Sequence, residues 1–183
     1  MNFLLRRIVV VGTISSGKST IAKRLAEKLA LNFIELDALH WEQGWIETPD
    51  ETFRARAEEA TRISDWVVEG NYHRVRDIIW PRAEAIIWLD YSLPLIFWRL
   101  TYRIFKRAIT RELLWGKNIE PFWIQFKIWS EDSLYHWLFK TYWRRKREYP
   151  QLFMQPSYAH LKIFCFKSPR QVDNWLASMS NKE

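Results

Sequence analysis

The stretch GTISSGKST, Gly12–Thr20, decides the fold. It follows the apolar run RIVVVG (7–12) and leads into IAKRLAEKLA (21–30). A short apolar run closed by glycine reads as a buried strand, and Ile21, Leu25 and Leu29, four apart, predict a helix over 18–30. Between them, Gly12, Gly17, Lys18 and Ser19 fit G-x-x-x-x-G-K-[ST]. Glycines let the backbone curl until several N–H groups face one anion, and the following helix aims its positive end at the same point. Thr13, Ile14, Ser15, Ser16 and Thr20 complete the cradle. Lys18 would reach the β- and γ-phosphates of a nucleoside triphosphate, and Ser19 would place its hydroxyl on Mg²⁺.

Outward from this loop, strand-like and helix-like segments alternate. NFIEL (32–36), WVVEG (66–70), AIIWLD (85–90) and LKIFCF (161–166) read as further strands. DETFRARAEEATRIS (50–64) follows Pro49 and reads as a helix, as does SPRQVDNWLAS (168–178), with Ser168 as its N-cap. A long helical stretch begins near Leu93, breaks at Gly116 and Pro121, and resumes over about 122–149. This alternation predicts an α/β protein with a parallel sheet covered on both faces. A single domain spanning 1–183 is expected, with 93–149 as its one insertion-like region.

Composition narrows the classes. Nearly half of the 183 residues, 48%, are hydrophobic, which argues against disorder. The lone Cys165 excludes internal disulfides and a cysteine-rich zinc site, and its setting in LKIFCFK predicts a buried thiol. No signal peptide is visible, and Arg99 and Arg103 interrupt the apolar run after Tyr91 too early for a membrane span. A cytoplasmic protein without a membrane partner, monomeric or homodimeric, is expected. The net charge of +7 is confined to residues 96–149, which hold twelve Lys or Arg against five Asp or Glu. Such a segment calls for an anionic partner: nucleotide phosphates, nucleic acid or an anionic membrane surface. Trp98, Trp115, Trp123, Trp129, Trp137 and Trp143 fall in the same segment, at spacings that predict core packing.

The loop near the N-terminus, the five-strand plan and the length resemble the nucleoside-kinase-like P-loop proteins, which include adenylate kinase and shikimate kinase. LDALHW (36–41), WVVEGNY (66–72) and AIIWLDY (85–91) resemble, more closely, the DNA topology modulation proteins. The resemblance implies a P-loop NTPase fold with strand order 2-3-1-4-5, ATP as the nucleotide, and a helical lid at about 93–149.

Glu35 and Asp37 stand two apart at the end of the second strand, so both carboxylates can face the crevice at the strand ends, where ligands bind in open α/β sheets. By resemblance to shikimate kinase, Asp37 is the acid at the acceptor hydroxyl; Glu35 is the weaker candidate. Glu69 ends an apolar strand, the position from which an acid holds Mg²⁺ in P-loop proteins. Gly70, Asn71 and Tyr72 continue the turn, with Trp41 and Arg74 as further candidates for the acceptor side. Arg99, Arg103, Arg107 and Arg111, spaced by four, form one drifting basic helical face. Arg103 and Arg107 are the first choices to neutralise charge on a transferred phosphoryl group.

Three functions compete at this level. The first is a kinase transferring the ATP γ-phosphoryl group to a nucleotide or hydroxylated metabolite. The second is a nucleic-acid-associated ATP-binding protein, suggested by RRKR (144–147) and the aromatics among the charges. The third is an ATP-binding switch without turnover.

Overall fold

The computed structural model describes residues 5–127 and 129–179. Five parallel strands form the central sheet: β1 (Arg7–Gly12), β2 (Asn32–Glu35), β3 (Trp66–Glu69), β4 (Ala85–Leu89) and β7 (Lys162–Phe166). Their order is β2-β3-β1-β4-β7, which is the expected 2-3-1-4-5 with β7 as the fifth sheet strand. The crossovers carry α1 (Lys18–Leu29), α2 (Leu36–His40), α3 (Asp50–Ala60), α4 (Arg76–Ile79), α5 (Leu93–Thr110) and α6 (Leu134–Phe153), and α7 (Pro169–Ser178) closes the chain.

Alternation along β1 builds two cores at once. Ile8 and Val10 face one layer, where they meet Leu25 of α1, Leu100 of α5, Leu138 of α6 and Val172 of α7. Val9 and Val11 face the other, with Phe53 of α3, Ile79 of α4 and Trp80. Both faces of the central strand are therefore covered, as a continuous apolar run requires. Ser168 caps α7, its hydroxyl accepting from the Gln171 N–H.

The connection from α5 to α6 departs from the sequence reading. Helix does not resume at Phe122. Residues Leu113–Leu114 (β5) and Asn118–Ile119 (β6) pair as a small antiparallel hairpin, Trp123–Phe126 forms a 3-10 turn, and α6 starts at Leu134. It then runs through Pro150 to Phe153. The proline forfeits one backbone hydrogen bond, while Tyr149 and Phe153 gain ring contacts with both Trp80 and Trp88.

Two further expectations fail at the surface. Cys165 is exposed, because β7 is an edge strand and its outer face is only partly covered. Of the six tryptophans expected in the core, Trp98, Trp123, Trp129, Trp137 and Trp143 are exposed. No helix among the described residues is long and apolar enough to cross a membrane.

Candidate active site

The strand ends β1 and β3 bring the site together. Gly17 sits at φ 91°, a left-handed conformation that glycine adopts without strain, and it starts α1 so that Lys18 and Ser19 open the helix. Lys18 Nζ donates to the Thr13 carbonyl at 3.4 Å, folding back over the loop. The Ser15 and Ser16 hydroxyls are buried without a hydrogen-bond partner. A buried polar atom left unpaired costs free energy, so these hydroxyls fit a loop whose ligand offers polar atoms.

Ser19 Oγ donates to Glu69 Oε1 at 3.1 Å, tying the head of α1 to the end of β3. Glu69 is buried, and its second oxygen has no partner. Carboxylate oxygens of Glu35, Asp37 and Glu69 lie within 4.8 Å of one another. Glu35, the weaker candidate of the sequence reading, is thus drawn into the cluster by its place at the end of β2. Burial pushes the Glu69 carboxyl up to about 7, with Lys18 pulling the other way and Asp37 and Glu35 adding repulsion. A hydroxyl and three crowded carboxylates form the hard oxygen donor set that suits Mg²⁺. Enclosure by protein likewise lowers Lys18 from its ordinary value, against the pull of Glu69.

Asp37 lies in α2, one residue beyond the N-terminal Leu36, and its Oδ1 accepts from the Tyr72 hydroxyl at 2.7 Å. Burial and the Asp37 charge hold that phenol well above its usual range. His40, buried among Trp41, Phe53 and Tyr72, supports the same wall.

Several acceptor-side candidates are instead occupied within the protein. Asn71 donates from Nδ2 to the Gly12 carbonyl at 2.6 Å and accepts from the Gly12 N–H at 3.1 Å. Tyr149 donates to the same Asn71 oxygen at 2.9 Å. Asn71 therefore holds the phosphate loop in place. Gly70 is required by packing, since a Cβ there would stand 2.8 Å from Leu36 Cβ. Arg74 is bound to Asp50 at 2.6 Å and Glu47 at 2.9 Å. Arg107 pairs with Glu120 at 2.7 Å and Glu112 at 3.3 Å, both from its own segment. Asp90 is neutralised by Lys146 and Lys167 and ends the sheet as a structural acid.

The basic face of α5 does look inward at its N-terminal half. Arg99 donates to the Ser16 carbonyl at 3.2 Å. Burial lowers Arg103 from its ordinary value against the pull of Glu120; its Nε has no partner, and its charge also acts on Lys18 and Asp37. Trp41 joins Trp45 and Trp115 in a chain of edge-on rings at 5.5 and 5.9 Å. Asn118 of β6 clamps that chain: its Oδ1 accepts from the Gly44 and Trp45 N–H groups, and its Nδ2 donates to the Glu42 carbonyl. The hairpin thus rests on the loop that follows α2.

Comparison with known proteins agrees with this geometry. A family model described as shikimate kinase matches residues 14–66, from the phosphate loop to the start of β3. A shikimate kinase from Bacteroides thetaiotaomicron superposes with a TM-score of 0.53 at 18% identity, covering 96% of this chain and 97% of that one. The fold is that of the P-loop kinases. A gluconokinase from Sinorhizobium meliloti gives a TM-score of 0.51 at 20% identity over 95% and 93% of the two chains. A shikimate kinase from Acinetobacter baumannii, solved in complex with shikimate, gives 0.52 at 17% identity over 98% and 96%. No curated protein sequence matches. The relationship supported is the broad one, to the P-loop kinase fold, and not the narrower one to DNA topology modulation proteins.

One residue of this site escaped the sequence reading. Arg145 of α6 is buried, one of its terminal nitrogens has no partner, and its charge acts on Lys18 and Asp37. In the sequence it stands within RRKR (144–147), the run that suggests nucleic acid. The signal that finds it is periodic: the buried residues Tyr135, Leu138, Tyr142 and Tyr149 continue through position 145. An arginine on the core stripe of a helix is there for a partner.

Proposed function

We propose that this chain is a kinase that transfers the γ-phosphoryl group of ATP to a hydroxyl of a small molecule. The observation that carries it is the convergence of unsatisfied buried groups on the phosphate loop: the hydroxyls of Ser15 and Ser16, the free oxygen of Glu69, and the arginines Arg103 and Arg145. Buried guanidinium N–H groups left unpaired are costly, and the oxygens of a triphosphate would accept from them. In this reading residues 12–20 hold the phosphates, and Lys18 bridges the β- and γ-groups. Ser19 and Glu69, with Glu35 beside them, would hold Mg²⁺, which when bound spreads the charge of the phosphates.

Asp37 receives the proton of the acceptor hydroxyl as that oxygen bonds to the γ-phosphorus and the bond to the β-phosphate oxygen breaks, releasing ADP. Tyr72 occupies one Asp37 oxygen and leaves the other for the acceptor. Arg103 and Arg145 neutralise the group in flight. Trp41 lines the acceptor side. We place the reaction in the cytoplasm and take the lid to be the part between the helices, about 111–133, because α5 and α6 are themselves anchored in the core through Ile96, Leu100 and Leu138.

The test is ATP consumption against nucleosides, nucleoside monophosphates and small hydroxylated metabolites. Lys18→Ala should abolish turnover with the fold intact, and Asp37→Asn should lower turnover far more than ATP affinity. Acceptor-independent ATP loss, or unchanged turnover in Lys18→Ala, would refute the assignment.

A further inference from the structure

α5 carries apolar residues where a globular helix carries polar ones. Its buried stripe is Ile96, Leu100 and Ile104. At 100° per residue, Trp98, Tyr102, Phe105 and Ile109 fall on the opposite side, and all four are exposed. Trp98 is 69% exposed and Ile109 82%. The stripe continues onto the connection to α6. Phe105 meets Phe122 at 5.6 Å and Phe126 at 6.3 Å, and Trp123, 80% exposed, packs on both of those rings. Scattered exposed apolar residues are ordinary; a contiguous patch marks a docking surface.

The charge around it selects the partner. Of the twelve Lys or Arg in 96–149, Arg99, Arg103 and Arg145 turn toward the phosphate loop. Arg107, Lys117, Lys140, Arg144 and Lys146 are paired with carboxylates. Lys106, Arg111, Lys127 and Arg147 have no carboxylate partner among the described residues. Lys106 flanks the stripe between Tyr102 and Ile109, Arg111 follows its end, and Lys127 follows Phe126. The nearby acids Glu112 and Glu120 are consumed by Arg107.

We propose that this face, the outer side of α5 with the turn at Phe122–Lys127, docks on an anionic lipid surface. Exposed Trp, Tyr and aliphatic side chains ringed by Lys and Arg suit the boundary between headgroups and acyl chains. A second copy of the same face would bring like charges together. A single nucleic acid strand would use the rings and cations but gain little from Ile109, the most exposed residue of the stripe. The association lies on the membrane without crossing it. Each cation brought to the lipid surface adds about 1 kcal/mol, roughly a fivefold gain in affinity.

Flotation of the full-length protein with phosphatidylcholine vesicles, with and without phosphatidylserine, tests this. Binding should require phosphatidylserine and weaken as salt rises. Trp98→Asp with Ile109→Asp should reduce it about tenfold or more, and Lys106→Glu should reduce it about fivefold or more, while both variants keep the wild-type melting temperature and ATP turnover. Equal binding to neutral vesicles, or none to anionic ones, overturns the proposal. So does a homodimer that Trp98→Asp dissolves, or oligonucleotide binding lost in these variants without any vesicle binding.

Discussion

Glu69→Gln should raise the thermal stability of the nucleotide-free protein near neutral pH and above, and leave it unchanged in acid. The Glu69 carboxyl is held from 4.5 up to about 7, chiefly by burial. Its folded value lies above its unfolded value, so the native state keeps a proton that the unfolded chain has already released. The stabilisation this gives is fully present below about pH 4.5 and is lost as pH rises to about 7. At roughly 1.4 kcal/mol per pH unit the loss is about 3 kcal/mol. Glutamine mimics the protonated acid and can still accept from the Ser19 hydroxyl, so it recovers that amount at about pH 8. For a chain of this size the gain corresponds to a melting temperature higher by about 6–12 °C. Calorimetry of both proteins at about pH 4 and pH 8, without nucleotide, reads it directly. The same substitution should raise the Mg²⁺ concentration needed for turnover. A variant that melts at or below the wild type at about pH 8 would show that the buried carboxylate is satisfied within the protein, and the argument for a cation there would fall.

Arg145→Met should lower turnover by at least about tenfold, or 1.4 kcal/mol in the barrier, while leaving the melting temperature unchanged or higher, because an unpaired buried cation is removed; a stability loss with full activity would make Arg145 structural. Asn71→Leu leaves the Gly12 N–H, the Gly12 carbonyl and the Tyr149 hydroxyl without their partner, and should cost about 2 kcal/mol or more in urea unfolding together with a clear loss of ATP affinity; unchanged affinity would separate Asn71 from the loop it holds.

The amino-acid order by itself determined the parallel sheet, the phosphate loop and the acids at the strand ends. These are local signals: an apolar run buried on both faces and the glycine spacing of Gly12 and Gly17; the period of two did not place Asp37, because β2 ends at Glu35 and Asp37 reaches the cluster from α2. Helix α1 and strand β1 read correctly because their neighbours in sequence are also the source of their pattern. Only the tertiary structure decided which polar groups were already spent. Arg74 and Arg107 looked available until Asp50, Glu47, Glu112 and Glu120 were brought beside them. Asn71 looked like an acceptor ligand until β1 and β3 became neighbours and aligned its amide with Gly12. Arg145, more than a hundred residues from Lys18, reaches the site only because α6 packs on the same core as α1. The exposed tryptophans were likewise invisible in sequence, where apolar residues at helical spacing predict burial. α5 carries two apolar sides, and one sheet face can cover only one of them.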